Sequence, residues 1–319
     1  MSETLPQISI VVPLYNEEAS FALLIDRLNQ LIKNSSCTIE VVLVNDGSSD
    51  KTPLMMNELA LTDSHYQCIF LARNHGHQLA LTAGLAQVSC TEAVFVIDGD
   101  LQDPPELLGH FYDKLKEGYE VIYGIRRKRK EGVLKRMLYW IYYRLLKNIS
   151  TIDIPLDSGD FALLSRRVVD HLNAMPERSR FIRGMRTWIG FRQTGLEYER
   201  DARSAGEAKY TFKMLFNLAY NGIFNFSEFP VKFITRMGML SMVGAFLFFV
   251  YVVIKKYLFG GVPPGFTSMF LAITVFSGVQ LLSLGFIGEY VLRIYDQVRE
   301  RPLFIIDKVI KNKELQKKG

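Results

Sequence analysis

The sequence predicts an α/β domain, a mostly parallel sheet with helices on both faces, joined to a two-helix membrane hairpin. Three observations carry this. Residues 8–125 alternate short β-branched runs with stretches of helical period, the pattern of a parallel sheet. One run, Val94-Phe95-Val96-Ile97, ends in Asp98-Gly99-Asp100-Leu101-Gln102-Asp103-Pro104-Pro105. An acidic cluster between a strand tip and a proline-started helix is where an open α/β sheet places a ligand. Finally, residues 237–254 and 266–288 carry no charge. As a helix the shorter of the two spans about 27 Å, close to the hydrocarbon thickness of a bilayer.

The elements follow in order. Ile8-Ser9-Ile10-Val11-Val12 reads as the first strand, with Pro13-Leu14-Tyr15-Asn16-Glu17-Glu18 as its exit loop. Phe21, Leu24, Ile25, Leu28 and Ile32 then share one helical face. Residues 39–44 make the second strand and Asn45-Asp46-Gly47-Ser48-Ser49-Asp50 a turn, with Ser49 or Asp50 as N-cap of the next helix. Residues 67–72 are the third strand and 78–88 a helix; the acidic strand is fourth and 120–124 fifth. A dinucleotide-binding fold would need a Gly-rich fingerprint after the first strand, and none stands there. His75-Gly76-His77 is read as a polar loop rather than a metal pair.

Past Gly124 the character changes. Arg126-Arg127-Lys128-Arg129-Lys130 is a basic run beside the presumed site. Residues 133–148 read as an interfacial helix, with Leu134, Leu138, Ile141 and Leu145 on one face and Arg136, Trp140, Arg144 and Lys147 on the other. Asp157-Ser158-Gly159-Asp160 precedes an apolar run and is able to deliver a carboxylate to the cleft. Residues 192–199 are a further strand, and 200–209, small, flexible and basic, have the composition of a loop that closes over an anion. Residues 211–226 carry one charge, Lys213, and must be buried in protein or lipid.

Composition narrows the classes. The hydrophobic share of 49% is high for a wholly soluble chain. Three cysteines without metal or redox spacing indicate reduced thiols. A net charge of +5, with basic residues beside aromatic and apolar ones, suits a membrane surface and not a nucleic-acid groove. Arg236, Arg293, Arg299, Arg301 and the lysines from Lys308 to Lys318 flank the hairpin's outer ends. Positive charge marks the cytoplasmic side, so an integral inner-membrane protein with cytoplasmic termini and catalytic domain is expected. Asp98, Asp100 and Gln102 offer hard oxygen ligands, suited to Mg2+ or Mn2+ on a diphosphate.

In sequence order, Pro13-x-Tyr15-Asn16-Glu17-Glu18, Asn45-Asp46-Gly47-Ser48, Asp98-x-Asp100-x-Gln102-Asp103-Pro104, Ser158-Gly159-Asp160-Phe161 and Arg203-x5-Lys209 resemble the family-2 glycosyltransferases with a GT-A fold. Within them the chain is most similar to the polyprenyl-phosphate glycosyltransferases, above all the bacterial undecaprenyl-phosphate glucosyltransferases of the GtrB type. Gly99 departs from the family's usual Ala. The resemblance implies transfer of a hexose, UDP-glucose being the expected donor, to a polyprenyl phosphate with inversion. GDP-mannose or a UDP-aminoarabinose type donor is the alternative. It implies that Pro13, Tyr15, Glu17, Val44 and Asp46 line the nucleoside pocket, with Asp98 and Gly99 at the nucleotide sugar. Asp100 and Gln102 hold the metal, Arg126, Arg203 and Lys209 meet phosphate, and Asp160 is the catalytic carboxylate. It also implies a homo-oligomer, a tetramer in the family. The domains expected are a catalytic unit at 1–210, an interfacial helix at 211–232, the hairpin at 233–292 and a basic tail at 293–319. On that division, truncation after Pro230 leaves nucleotide binding intact. A processive polysaccharide synthase would need more spans and a Gln-x-x-Arg-Trp motif, and Arg186-Thr187-Trp188 lacks that pattern. A membrane-bound sugar-nucleotide binding protein without turnover is the rival from another class.

Overall fold

The computed structural model describes residues 5–127, 158–178, 180–199, 229–259 and 265–316. They belong to two compact units, a sheet unit that includes the chain from Arg301 onwards and a helical unit that ends at Glu300.

The sheet unit holds strands β1 (Ile8–Leu14), β2 (Ile39–Asn45), β3 (Tyr66–Leu71), β4 (Ala93–Val96), β5 (Val121–Arg127), β6 (Ser158–Ser165), β7 (Gln193–Glu199), β8 (Ile306–Lys311) and β9 (Glu314–Gln316), in the order β7-β5-β6-β4-β1-β2-β3-β8-β9. The centre, β3-β2-β1-β4, is parallel throughout. Its strands are buried at almost every position, as continuous Val/Ile/Leu runs covered on both faces must be. Helices α1 (Glu18–Asn34), α2 (Thr52–Thr62), α3 (His77–Leu85) and α4 (Leu108–Lys116) supply the crossovers, α4 entered through a 3-10 turn over Pro105–Leu107. Strand β6 runs antiparallel between β4 and β5, and β7 lies parallel to β5. Helices α5 (Arg166–Ala174) and α6 (Ile182–Trp188) follow β6.

Aromatic packing fixes β6. Phe161 lies 5.2 Å from Phe95, 5.0 Å from Phe111 and 5.1 Å from Tyr198, centroid to centroid, at tilted or edge-on angles. Each such pair adds about 0.5–1.5 kcal/mol to the area buried. Loss of this ring should cost about 3–5 kcal/mol, and it sits next in the chain to Asp160.

Several expectations shift. Strand β1 runs on through Pro13 and Leu14 instead of ending at Val12, and α3 begins at His77 and stops at Leu85. The N-cap of α2 is Lys51, although Asp50 still accepts the Thr52 N–H at 3.0 Å. The larger correction concerns residues 293–319, which are not one basic tail. As far as Val298 they continue a helix; from Ile306 they form β8, antiparallel to β3. Val309 and Ile310 are buried. Lys308 Nζ donates to Asn57 Oδ1 at 2.9 Å and lies over the Phe70 ring. A cut after Pro230 therefore removes part of the sheet.

The helical unit contains α7 (Phe229–Phe259) and α8 (Phe266–Val298). Phe233–Lys255 and Val275–Val298 are long and apolar enough to cross a membrane, and neither is buried in protein. Phe246, Leu247, Phe248 and Phe249 are all exposed. Apolar surface of this extent is suited to lipid. The second span lies further along the chain than the uncharged stretch 266–288, and it accommodates Glu289 and Arg293 as an i,i+4 pair at 3.0 Å. The expected interfacial helix at 133–148 lies outside the described residues, as does the one expected at 211–232 up to residue 228; from Phe229 the chain is already in α7.

Candidate active site

The site is built at strand ends. In the β1–β2 register Pro13 faces Val44 and Leu14 faces Asn45, and Asp46 N–H donates to Leu14 O at 2.9 Å. The two exit loops are tied across: Asn16 Oδ1 accepts the Ser49 N–H at 2.8 Å, and Asn16 N–H donates to Ser48 Oγ at 3.0 Å. Tyr15 stands exposed. Glu17 is the N-cap residue of α1 and accepts the Ser20 hydroxyl at 2.8 Å.

Asp46 is buried and accepts the backbone N–H groups of His75 at 2.7 Å and Gly76 at 2.9 Å. Burial raises its carboxyl, and these two donors offset that only in part, so it ends above its ordinary value.

The acidic strand tip is a strained turn. Leu101 is buried at φ +60°, a left-handed conformation that costs a non-glycine residue about 1–3 kcal/mol. Asp100 Oδ1 accepts the Gln102 N–H at 3.2 Å and Arg27 Nη1 donates to Leu101 O at 3.4 Å, which hold the turn. Asp98 Oδ1 is buried and has no hydrogen-bond partner among the described residues. Hard oxygens at Asp100 and Gln102, both partly exposed, fit a Mg2+ or Mn2+ ion. Among the described residues no three His, Cys, Asp or Glu side chains gather into a cage. Such an ion would therefore draw further ligands from a diphosphate and water. Gly99 packs on β1: a Cβ there would lie 2.4 Å from Leu14 Cδ2 and 3.3 Å from Pro13 O. Alanine would thus require Leu14 to move, so the departure at Gly99 is matched to its neighbour.

Asp160 opens the far side. It is 4% exposed at the start of β6. Arg183 donates from Nε to Oδ1 at 2.9 Å and from Nη2 to Oδ2 at 3.2 Å. Gln78 Nε2 donates to Oδ2 at 2.8 Å, while Gln78 Oε1 accepts the Ile182 N–H at 2.9 Å. His77 Nε2 lies 3.3 Å from Asp160 Oδ2 and 3.6 Å from Asp98 Oδ1. Burial would raise the Asp160 carboxyl, but the Arg183 charge and then His77 outweigh it and hold it well below the usual carboxylate range. Burial would lower His77; the hydrogen bond to Asp160 and the charges of Asp98 and Asp160 instead raise it to about 9.

Two more arginines frame this residue. Arg126 packs on Gly159, where a Cβ would lie 2.8 Å from Nη2, and its Nε donates to the Tyr198 hydroxyl at 3.3 Å. Tyr198 in turn donates to the buried Asp103. Arg186 is fully buried and donates from Nη2 to Gly159 O at 3.1 Å. Burial lowers it to about 10.

Pro13, Val44 and Asp46 thus sit together at the β1–β2 ends, followed by the turn at Asp98–Gln102, with Asp160 held to α3 and α6. Arg203 and Lys209 lie outside the described residues. The sequence alone does not single out His77, Gln78 and Arg183: His77 reads as part of a polar loop, and no local pattern marks the other two.

Residues 9–172 match the family model Glycosyl transferase family 2. The chain is 43% identical over 312 residues, 97% of its length and 96% of the relative's, to "Uncharacterized glycosyltransferase YkcC" of Bacillus subtilis (strain 168). It is 37% identical over 303 residues, 95% of its length and 98% of the relative's, to the "SfII prophage-derived bactoprenol glucosyl transferase" of Shigella flexneri. Among solved structures it is similar to glucosyl-3-phosphoglycerate synthase from Mycobacterium tuberculosis, with a TM-score of 0.42 at 20% identity over 67% of this chain and 76% of that one.

Proposed function

The chain belongs to glycosyl transferase family 2, and from that premise we propose that it transfers a hexose from a nucleotide sugar to a polyprenyl phosphate at a membrane surface. UDP-glucose is the donor favoured, undecaprenyl phosphate the acceptor. The observation that carries this reading is the union, in one chain, of a strand-end acidic site and two long apolar helices left unburied. A soluble acceptor would need no such helices. The bactoprenol glucosyl transferase name of a relative aligned over nearly its whole length supports the same acceptor class.

The residues divide the work. Pro13, Tyr15, Glu17, Val44 and Asp46 would receive the nucleoside, and Asp98 and Gly99 the sugar side of the donor. Asp100 and Gln102 would hold a Mg2+ or Mn2+ ion, which supplies neutralising charge to the diphosphate. Arg126, with Arg203 and Lys209, would add fixed positive charge where negative charge develops. In the reaction one acceptor phosphate oxygen bonds to the anomeric carbon. The bond from that carbon to the diphosphate breaks, and its electron pair leaves with the nucleoside diphosphate. Attack opposite the leaving group inverts the centre. A phosphate monoester, with a second pKa near 6, is largely dianionic at neutral pH, so little proton removal is required. The two apolar helices would hold the catalytic unit at the cytoplasmic leaflet, where a lipid phosphate is presented.

The test is a panel of labelled nucleotide sugars incubated with the full-length protein and undecaprenyl phosphate. A lipid-linked sugar formed from one donor, with its nucleoside diphosphate released, is the expected result. Donor binding without product from any sugar would instead indicate a binding protein.

A further inference from the structure

We infer that Ile305, in the segment between α8 and β8, clamps the loop that holds Asp46, with His75 as the positioning residue, so that nucleotide affinity is set in part by chain that follows both long helices. The inference rests on the reading that Asp46 lines the nucleoside pocket, and goes beyond it to name what fixes Asp46 in place.

Residues 72–76 leave β3 and reach α3 with no regular structure of their own. Yet this loop carries the contacts of Asp46. Asn74 Nδ2 donates to Asp46 O at 3.2 Å, and the N–H groups of His75 and Gly76 meet the two carboxylate oxygens at 2.7 and 2.9 Å. Gly47 seats on the same loop. It stands at φ +64°, and a Cβ there would lie 2.4 Å from Asn74 N and 2.5 Å from Arg73 C. Backbone cannot yield as a flexible side chain does, so the two loops are fitted to each other. Asp46 therefore stays in place only while residues 72–76 do.

Ile305 holds that loop by its backbone. Its carbonyl accepts the Ala72 N–H at 2.9 Å, and its own N–H donates to His75 Nε2 at 3.5 Å. The first bond continues the β3–β8 pairing one residue past Leu71 and Ile306. The second depends on His75 itself, because an imidazole nitrogen accepts only when it carries no proton. Burial, then the Arg73 charge, lower the His75 imidazole against the opposing pull of Asp46, which favours that neutral form. One residue thus joins two segments: its ring is held by Ile305 while its backbone holds Asp46. Ile305 stands seven positions after Val298, the last residue of α8.

Fixing the backbone of one residue costs about 1–2 kcal/mol. A loop already ordered by Ile305 does not exact that cost when the nucleotide arrives, and in this way a contact between two protein segments raises ligand affinity.

The experiment is titration calorimetry of the full-length protein with UDP, or with the diphosphate of whichever donor the panel selects. Steady-state kinetics and amide hydrogen exchange run beside it. His75→Phe keeps a ring and the backbone N–H but loses the acceptor nitrogen. Its UDP Kd should rise about three- to tenfold, the scale of one hydrogen bond, with kcat at saturating donor and acceptor KM within about twofold of wild type. His75→Gln, which returns an acceptor at a similar reach, should recover most of the loss. Ile305→Pro removes the N–H and keeps the carbonyl. The double variant should bind UDP within about twofold of either single one, because both delete the same contact. Exchange at residues 72–76 should quicken in His75→Phe and in Ile305→Pro, with no nucleotide present. Should Ile305→Pro show no thermal transition, His75→Phe and His75→Gln decide. Unchanged UDP affinity in His75→Phe, multiplied losses in the double variant, or unaltered exchange at residues 72–76 would overturn the clamp. A wild-type protein that binds no nucleoside diphosphate overturns the pocket reading instead, and the exchange measurement tells the two failures apart.

Discussion

Asp46 and Asp160 are equally buried carboxylates, 3% and 4% exposed, yet their acidities move in opposite directions. Asp46 is met by two backbone N–H groups, Asp160 by Arg183 and His77. Burial penalises both anions; what differs is the charge of the partner. A neutral donor leaves the carboxylate raised, and a cation reverses the sign. On the proposed function this suits each place. Asp46, tied to two backbone N–H groups, would fix the shape of the nucleoside side, while Asp160 sits within a cluster of positive charge.

Breaking the turn between these two carboxylates should have the largest effect. Asp100→Asn keeps the fold but removes one charged ligand of the ion. Metal charge stabilisation is worth several kcal/mol, so turnover should fall by about a hundredfold or more. Undiminished turnover of this variant in excess chelator would remove the metal from Asp100 altogether.

The next effect separates the two carboxylates through stability. Removing one partner of a buried ion pair costs about 3–5 kcal/mol, whereas replacing both is far milder. Arg183→Gln should therefore lower the thermal midpoint of the full-length protein more than Asp160→Asn combined with Arg183→Gln does. Equal midpoints would mean that the pair is solvated. Asp46→Asn turns an amide NH2 toward the N–H of His75 or Gly76, so it should cost about 1–3 kcal/mol of stability, the scale of one lost buried hydrogen bond, and weaken UDP binding by roughly tenfold. Titration calorimetry with UDP reads this directly, and unaltered affinity would take Asp46 out of the nucleoside pocket.

The smallest effect is that of pH. His77 is raised to about 9 in the folded chain, so its contribution is complete below its ordinary value near 6.5 and is lost as pH rises through about 9. Asp160 behaves in the opposite sense: its contribution is present above the ordinary carboxylate value and is lost only as pH falls through its depressed one. Between pH 7.5 and 9.5 the wild type should lose a small amount of thermal stability that His77→Gln does not lose. The difference stays small because the His77 side chain is 44% exposed and solvent screens the pair. Parallel pH profiles would show that His77 carries no charge there.

The contrast also marks what could be read from the chain. Val11, Val42 and Phe95 lie in apolar runs whose period and length signal buried strands, and Asp46, Asp98 and Asp100 follow those runs directly. The carboxylates at these strand ends are therefore legible in the sequence. The partners of Asp160 were not, because His77, Gln78 and Arg183 lie 83, 82 and 23 positions away and meet it only through the sheet topology. Strand β8 was obscured by composition. Ile306, Val309 and Ile310 are interrupted by Lys308 and Lys311, whose long stems cover neighbouring surface while their ammonium groups find Asn57 and Ser89.

Strand β8 has a consequence for biogenesis. Its partner β3 is complete by Leu71, while β8 begins at Ile306, after both long helices in the chain. At about 5–20 residues per second, the edge of β3 stays open for on the order of ten to fifty seconds during synthesis. The open edge is an apolar strand with unpaired backbone groups, a ready template for wrong pairing. Both long helices are thus synthesised before the sheet can close, and a chain that terminates before Ile306 leaves that edge exposed.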